Sequence, residues 1–82
     1  MGAEELREFL RATPFTPFRL RISSGQYVDV PHPETALVAR SLVAVGVLGA
    51  DGQVDHLVHY NLMHIVKIEP LDGKPVSTRS PS

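Results

Sequence analysis

Eighty-two residues suffice for one hydrophobic core and are too few for two, which excludes a second domain. With three Phe, two Tyr, no Trp and no Cys, that core must be built from Val, Leu and Ile, without disulfides or a thiolate metal cage; self-association is then an expected source of added stability. A formal net charge of −1 excludes a global attraction to nucleic acid or to an anionic membrane, so any such binding needs a local patch.

The chain begins MGAEELREFL, which is acidic and amphipathic, whereas a secretory leader needs a basic start and about 7 to 15 consecutive apolar residues. It is read as mature chain, and the cysteine-free composition fits a cytoplasmic location. In this stretch Leu6, Phe9 and Leu10 fall at i, i+3 and i+4, the spacing of one helix face. Glu4 and Glu5 in the first turn and Arg7 and Arg11 toward the end suit the helix macrodipole, and Thr13-Pro14 supplies the stop. The apolar face is expected to cover the mouth of a small β-structure.

Phe18, Leu20 and Ile22 alternate with Arg19, Arg21 and Ser23, the period of a half-buried strand. Ser24-Gly25 provides a turn, and Val28 and Val30 continue the inward face on a second strand, 27–30, with Tyr27 and Asp29 outward. Pro31-His32-Pro33 ends that strand because proline cannot donate to a ladder, and residues 34–37 are expected to form one tight helical turn. LVAVGVL, residues 42–48, is apolar on both faces and is expected to be covered on both sides or to curl around a barrel, with Gly46 marking the bend. After the turn residues 49–53 come a mixed strand, 54–60, and a last strand, 64–69, ended by Pro70. Phe18, Leu20, Ile22, Val28, Val30, Val45, Val58 and Ile68 are the expected core. The remainder, DGKPVSTRSPS at residues 72–82, is read as a disordered polar tail. The longest apolar run, residues 42–50, is about half of the ~20 residues that a spanning helix requires, so no membrane contact is expected. The fold expected is thus mainly β with one N-terminal helix, a small five-stranded antiparallel barrel.

Two stretches, PFTPFRLRISSGQYVDVPHPE and LMHIVKIEP, flanking an apolar strand that follows Arg40-Ser41, resemble a group of short bacterial proteins. The resemblance covers residues 6–70 and implies no activity. More remotely, the order of helix and five strands, with a very short connection before the last, resembles the Sm-like fold of the bacterial RNA chaperone Hfq family; SH3-like barrels have similar strand content. The Hfq family carries Tyr-Lys-His before its last strand, and here Tyr60-Asn61-Leu62-Met63-His64 lacks the Lys, so its RNA site does not carry over. In Sm-like rings the last two strands pair between neighbours. That resemblance implies a homo-oligomer joined at strand edges, with Leu57 and Ile65 in or beside the subunit contact.

Four histidines, His32, His56, His59 and His64, raise metal binding, but His56 and His59 are three apart on one strand and so face opposite ways. No nucleophile motif or dinucleotide fingerprint is present, and the acids are scattered among turns and strand ends. No catalytic residue, metal or cofactor is therefore expected. Arg19 and Arg21 lie about 7 Å apart on the outer face of their strand, where Lys67 can join them as a phosphate-binding stripe. Asp29 on the same hairpin face makes a solvated surface crossed by salt bridges the first expectation. The chain is accordingly read as a non-enzymatic interaction or assembly module, binding itself or a protein partner; RNA binding through Arg19, Arg21 and Lys67 is the alternative.

Overall fold

A computed structural model describes residues 1–71; the expected polar tail, 72–82, lies outside the described residues. Helix α1 spans Ala3–Arg11 and is followed by six strands: β1 Phe18–Ile22, β2 Tyr27–Val30, β3 Ala36–Val38, β4 Leu42–Leu48, β5 Val54–Asn61 and β6 Ile65–Pro70. They form two three-stranded antiparallel sheets, β2-β1-β6 and β3-β4-β5. The chain is mainly β with one N-terminal helix, as expected, but the described residues form six strands rather than five, and no strand pairing among them closes the two sheets into a barrel.

The extra strand comes from the segment after Pro31-His32-Pro33. The helical turn there is a 3-10 turn of Pro33–Thr35 only, with Thr35 N–H bonded to the His32 carbonyl. Ala36–Val38 is already extended and pairs with Val43–Val45. Because the prolines end the β2 ladder, the chain changes sheet at this corner instead of bending one sheet around. The β1–β2 hairpin closes as its sequence dictates, through Ser24-Gly25, where Gly25 takes the positive φ of 96° that side-chain-bearing residues avoid.

Between the sheets lies one core of Leu6, Phe18, Leu20, Ile22, Val28, Val30, Val43, Val45, Leu62 and Ile65. Strand alternation accounts for most of these positions, and Leu6 anchors α1 over the same cluster. Phe9 meets Phe18 edge-on, with ring centroids 5.5 Å apart, so the helix does cover the β-structure. Each fully buried large side chain, such as Phe18, Leu6 or Leu20, contributes about 1.5–3 kcal/mol of transfer free energy. Outside that core, Glu4 accepts hydrogen bonds from Arg11 at 2.8 Å and from Arg7 at 3.4 Å, which hold its carboxyl below the usual range. Val58 and Ile68, expected in the core, are only half-buried at its margin, where they sit on β5 and β6, the edge strands of their sheets.

Two β-bulges decide which way the later strands face. Between Arg21 and Ile22 the β1–β6 register shifts, so that Leu20 opposes Ile68 while Ile22 opposes Ile65. Ile65 and Ile68 therefore both face inward although they are three residues apart, and Val66 is turned out at 63% exposure. Between Val47 and Leu48 the β4–β5 register shifts likewise, so that Leu48 opposes Val54 while Gly46 opposes Leu57, and Val54 and Leu57 share the outer face.

Candidate functional site

The expected basic stripe exists as a geometric unit. Alternation sends Arg19 and Arg21 to the outer face of the β2-β1-β6 sheet, and the register places them in two cross-strand rows, Tyr27-Arg21-Lys67 and Asp29-Arg19-Glu69. Each cation there has a partner. Arg19 donates from Nε and Nη2 to the two oxygens of Asp29 at 2.7 and 3.2 Å, a two-toothed geometry stronger than a single bond. Arg21 donates from Nε to Glu69 at 2.9 Å, and Lys67 Nζ lies 3.2 Å from the other Glu69 oxygen. Glu69 is consequently held below the usual carboxylate range, by Arg21 first and then by Lys67, and Asp29 makes the Arg19 guanidinium a still firmer cation. The Tyr27 ring lies beneath both arginines, with its centroid 4.0 Å from the Arg19 guanidinium carbon and 5.4 Å from that of Arg21. The face is crossed by salt bridges, and Glu69 supplies the half of the pairing that Asp29 alone could not.

The outer face of the β3-β4-β5 sheet is of the opposite kind. Its rows are Leu37-Ala44-His59, Gly46-Leu57, Leu48-Val54 and Leu42-Asn61. Leu37 is 74% exposed and Leu57 61%, and Leu42 and Val54 are also open to solvent. The sequence expectation for 42–48, cover on both sides, is thus corrected: Val43 and Val45 are buried inward, while Leu42 is exposed and Ala44 half-exposed. The β4–β5 pairing runs through Gly46 without a register shift. A Cβ there would stand 3.2 Å from Val54 Cγ2 and 3.7 Å from Leu57 Cδ2, so glycine is what lets those side chains lie across the strand. Alongside them a shallow groove of 180 Å³ runs between Glu34, Thr35, Leu37, Ala44, Val54 and Leu57.

The two residues expected at a subunit contact are separated by the fold. Leu57 stands out from the apolar face, whereas the Ile65 side chain is 4% exposed and belongs to the core, turned inward by the β6 bulge. β5 and β6 do end their sheets, so each has one edge without a strand partner among the described residues. Of the residues on the apolar face, only Leu57 is expected at a contact from the sequence, and the register adds Leu37, Ala44 and Val54 to it. The available signal was the double-faced apolarity of LVAVGVL, which strand alternation can bury on one side only.

The histidines do not converge. His56 opposes Val47 and His59 opposes Ala44, which are on opposite faces; His56 Nδ1 is 2.9 Å from Asp55, and His64 Nδ1 is 3.5 Å from the Ser23 hydroxyl. Among the described residues no group of three or more His, Cys, Asp or Glu side chains is placed to hold a metal ion, and no helix is long and apolar enough to cross a membrane. Comparison with protein-family models, with curated proteins and with solved structures gives no match for this chain.

Proposed function

We propose that this chain is a non-enzymatic assembly module that binds copies of itself through the outer face of the β3-β4-β5 sheet. The observation that carries the reading is the juxtaposition on one face of a knob and a hole: Leu37 and Leu57 protrude beside the groove left by Ala44 and Gly46. Such a face is complementary to itself. A two-fold axis through it lets Leu57 of each copy enter the groove of the other, and two sheets then stack about 10 Å apart in the ordinary way of a sandwich. The unpartnered edge of β5 borders the same surface and extends the contact to strand pairing. We read the arrangement as an open relative of the small Sm-like and SH3-like barrels, on the ground that β6 returns to β1 through a single 3-10 turn, Leu62–His64.

Sedimentation equilibrium over a wide concentration range tests this. The parent chain is expected to sediment above its 9.0 kDa mass, and Leu57→Lys is expected to return it to that mass. A single 9.0 kDa species for the parent at all concentrations refutes self-assembly. The RNA alternative has in its favour that Arg19, Arg21 and Lys67 share a face, and against it that Asp29 and Glu69 already occupy them.

A further inference from the structure

Among the rows on the outer face of the β3-β4-β5 sheet one side chain, His59, is ionisable. It ends the row Leu37-Ala44-His59 and is exposed, two residues from Leu57 on the same side of β5, about 7 Å along the strand. The other histidines lie elsewhere: His56 is on the opposite face of β5 and bonded to Asp55, His64 is beside Ser23, and His32 precedes the Pro33–Thr35 turn.

The proposed contact fixes where His59 goes. A two-fold axis that carries Leu57 from β5 into the groove beside β3 must run along the strands, because it exchanges the two outer strands of the sheet and leaves each residue on its own row. Leu57 is then set down on the row of Gly46 in the other copy, and His59 on the row of Leu37 and Ala44. The side chains that meet the imidazole are Leu37 and Ala44 of that copy and Leu57 beside it on its own strand, none of which can hydrogen-bond. The charged groups flanking that row are Glu34, which lines the groove three residues before Leu37, and Arg40, in the β3–β4 turn three residues after it. Their effects on a cation oppose each other. A neutral imidazole can be covered there at modest cost, whereas an imidazolium loses its hydration with no carboxylate on its row to replace it.

We propose, on the reading that this face joins two copies, that His59 makes the contact a pH switch: the copies associate while both imidazoles are neutral and separate as His59 takes up a proton. The sign follows from linkage. Separate copies bind more protons than the joined pair, so association strengthens as pH rises and is lost as the imidazoles become protonated. Two imidazoles that must both be neutral weaken association about a hundredfold between about pH 7.5 and about pH 5.5. The carboxyls of Glu4 and Glu69 are held below their ordinary value of 4.5 and keep their charge throughout that window.

Sedimentation equilibrium of the full-length chain at those two pH values tests this, with circular dichroism at each to follow the fold. The dissociation constant of the parent is expected to rise about a hundredfold at the acid value while the dichroism stays the same. His59→Gln, neutral at both, should associate equally at both; His59→Lys, charged at both, should be monomeric at both. His56→Gln and Glu34→Gln should keep the response of the parent. Equal association of the parent at both pH values overturns the switch and leaves self-assembly standing, whereas a 9.0 kDa species at both overturns the two together. A response that persists in His59→Gln, association that strengthens on acidification, or dissociation accompanied by loss of the dichroism assigns the titration to another group or to unfolding, and each overturns the role of His59.

Discussion

The two sheets of this protein share one core and present opposite outer faces. On β2-β1-β6 the outward positions hold Tyr27, Asp29, Arg19, Arg21, Lys67 and Glu69, and the registers set acid against base so that each charge has a partner. On β3-β4-β5 they hold Leu37, Leu42, Ala44, Gly46, Leu48, Val54 and Leu57, with His59 and Asn61 as the polar members of the rows. Antiparallel sheets tolerate water on one face, and the first is built for it; the second exposes a contiguous apolar surface of the kind that marks an interaction site. The same backbone architecture thus carries paired charges on one side and exposed apolar side chains on the other, the contrast on which the proposed self-association rests. That contrast directs the functional reading to the second sheet.

The largest expected effect concerns what the two sheets have in common. Leu20→Ala should cost roughly 2–5 kcal/mol, since Leu20 is fully buried between them, and both sheets should melt together in urea. A parent-like midpoint would mean that β1 is not part of the shared core. Next comes a change on the apolar face: Leu57→Lys should abolish self-association while altering the stability of the monomer by no more than about 0.5 kcal/mol, as an exposed substitution does. The matching change on the ionic face, Arg21→Ala, should leave the sedimentation profile as it is. If Arg21→Ala dissociates the assembly and Leu57→Lys does not, the two faces have been assigned the wrong way round.

Smaller effects come from titrating the ionic face. The carboxyl of Glu69 has a lower pKa in the folded chain than its ordinary value near 4.5, so between the two values the unfolded chain binds more protons and stability rises with pH. The contribution is complete above about pH 4.5 and is lost as pH falls through the folded value; with Glu69 only part-buried and its partners open to solvent, it amounts to at most about 1 kcal/mol. Denaturant melts of Glu69→Gln between pH 3 and pH 6, taken as about the span of that titration, should show a flatter dependence than the parent. An unaltered slope would show that the Arg21–Glu69 pair adds nothing to folding. For labelled single-stranded RNA at low salt, binding to the parent chain should be undetectable, because Asp29 and Glu69 already pair Arg19, Arg21 and Lys67 and leave the cluster only one net positive charge. Tight binding with a steep salt slope, lost in Arg19→Glu with Arg21→Glu, would restore the RNA reading.

β1 and β2 of the first sheet were legible in the sequence because both obey a strict period of two. FRLRI and YVDV bury Phe18, Leu20, Ile22, Val28 and Val30 where alternation puts them, and the same alternation brings Arg19 and Arg21 out together beside Asp29. The helix followed from its three apolar residues and its proline stop. Sequence alone also located the turns, since Ser24-Gly25 and the prolines after Val30 restrict backbone geometry locally.

What the tertiary structure decided is everything that depends on register between distant strands. Ala36–Val38 is too short to show a period, and it is a strand only because β4 is there to pair with it. Counting by twos from Ile68 puts Val66 inside and Ile65 outside; the bulge opposite Arg21 and Ile22 reverses both, and it removes Ile65 from the surface on which sequence reasoning had placed it. The bulge opposite Val47 and Leu48 turns Val54 outward beside Leu57 in the same way. A single extra residue in a strand exchanges its two faces for every position beyond it, and no local pattern of apolar residues records where that residue is inserted.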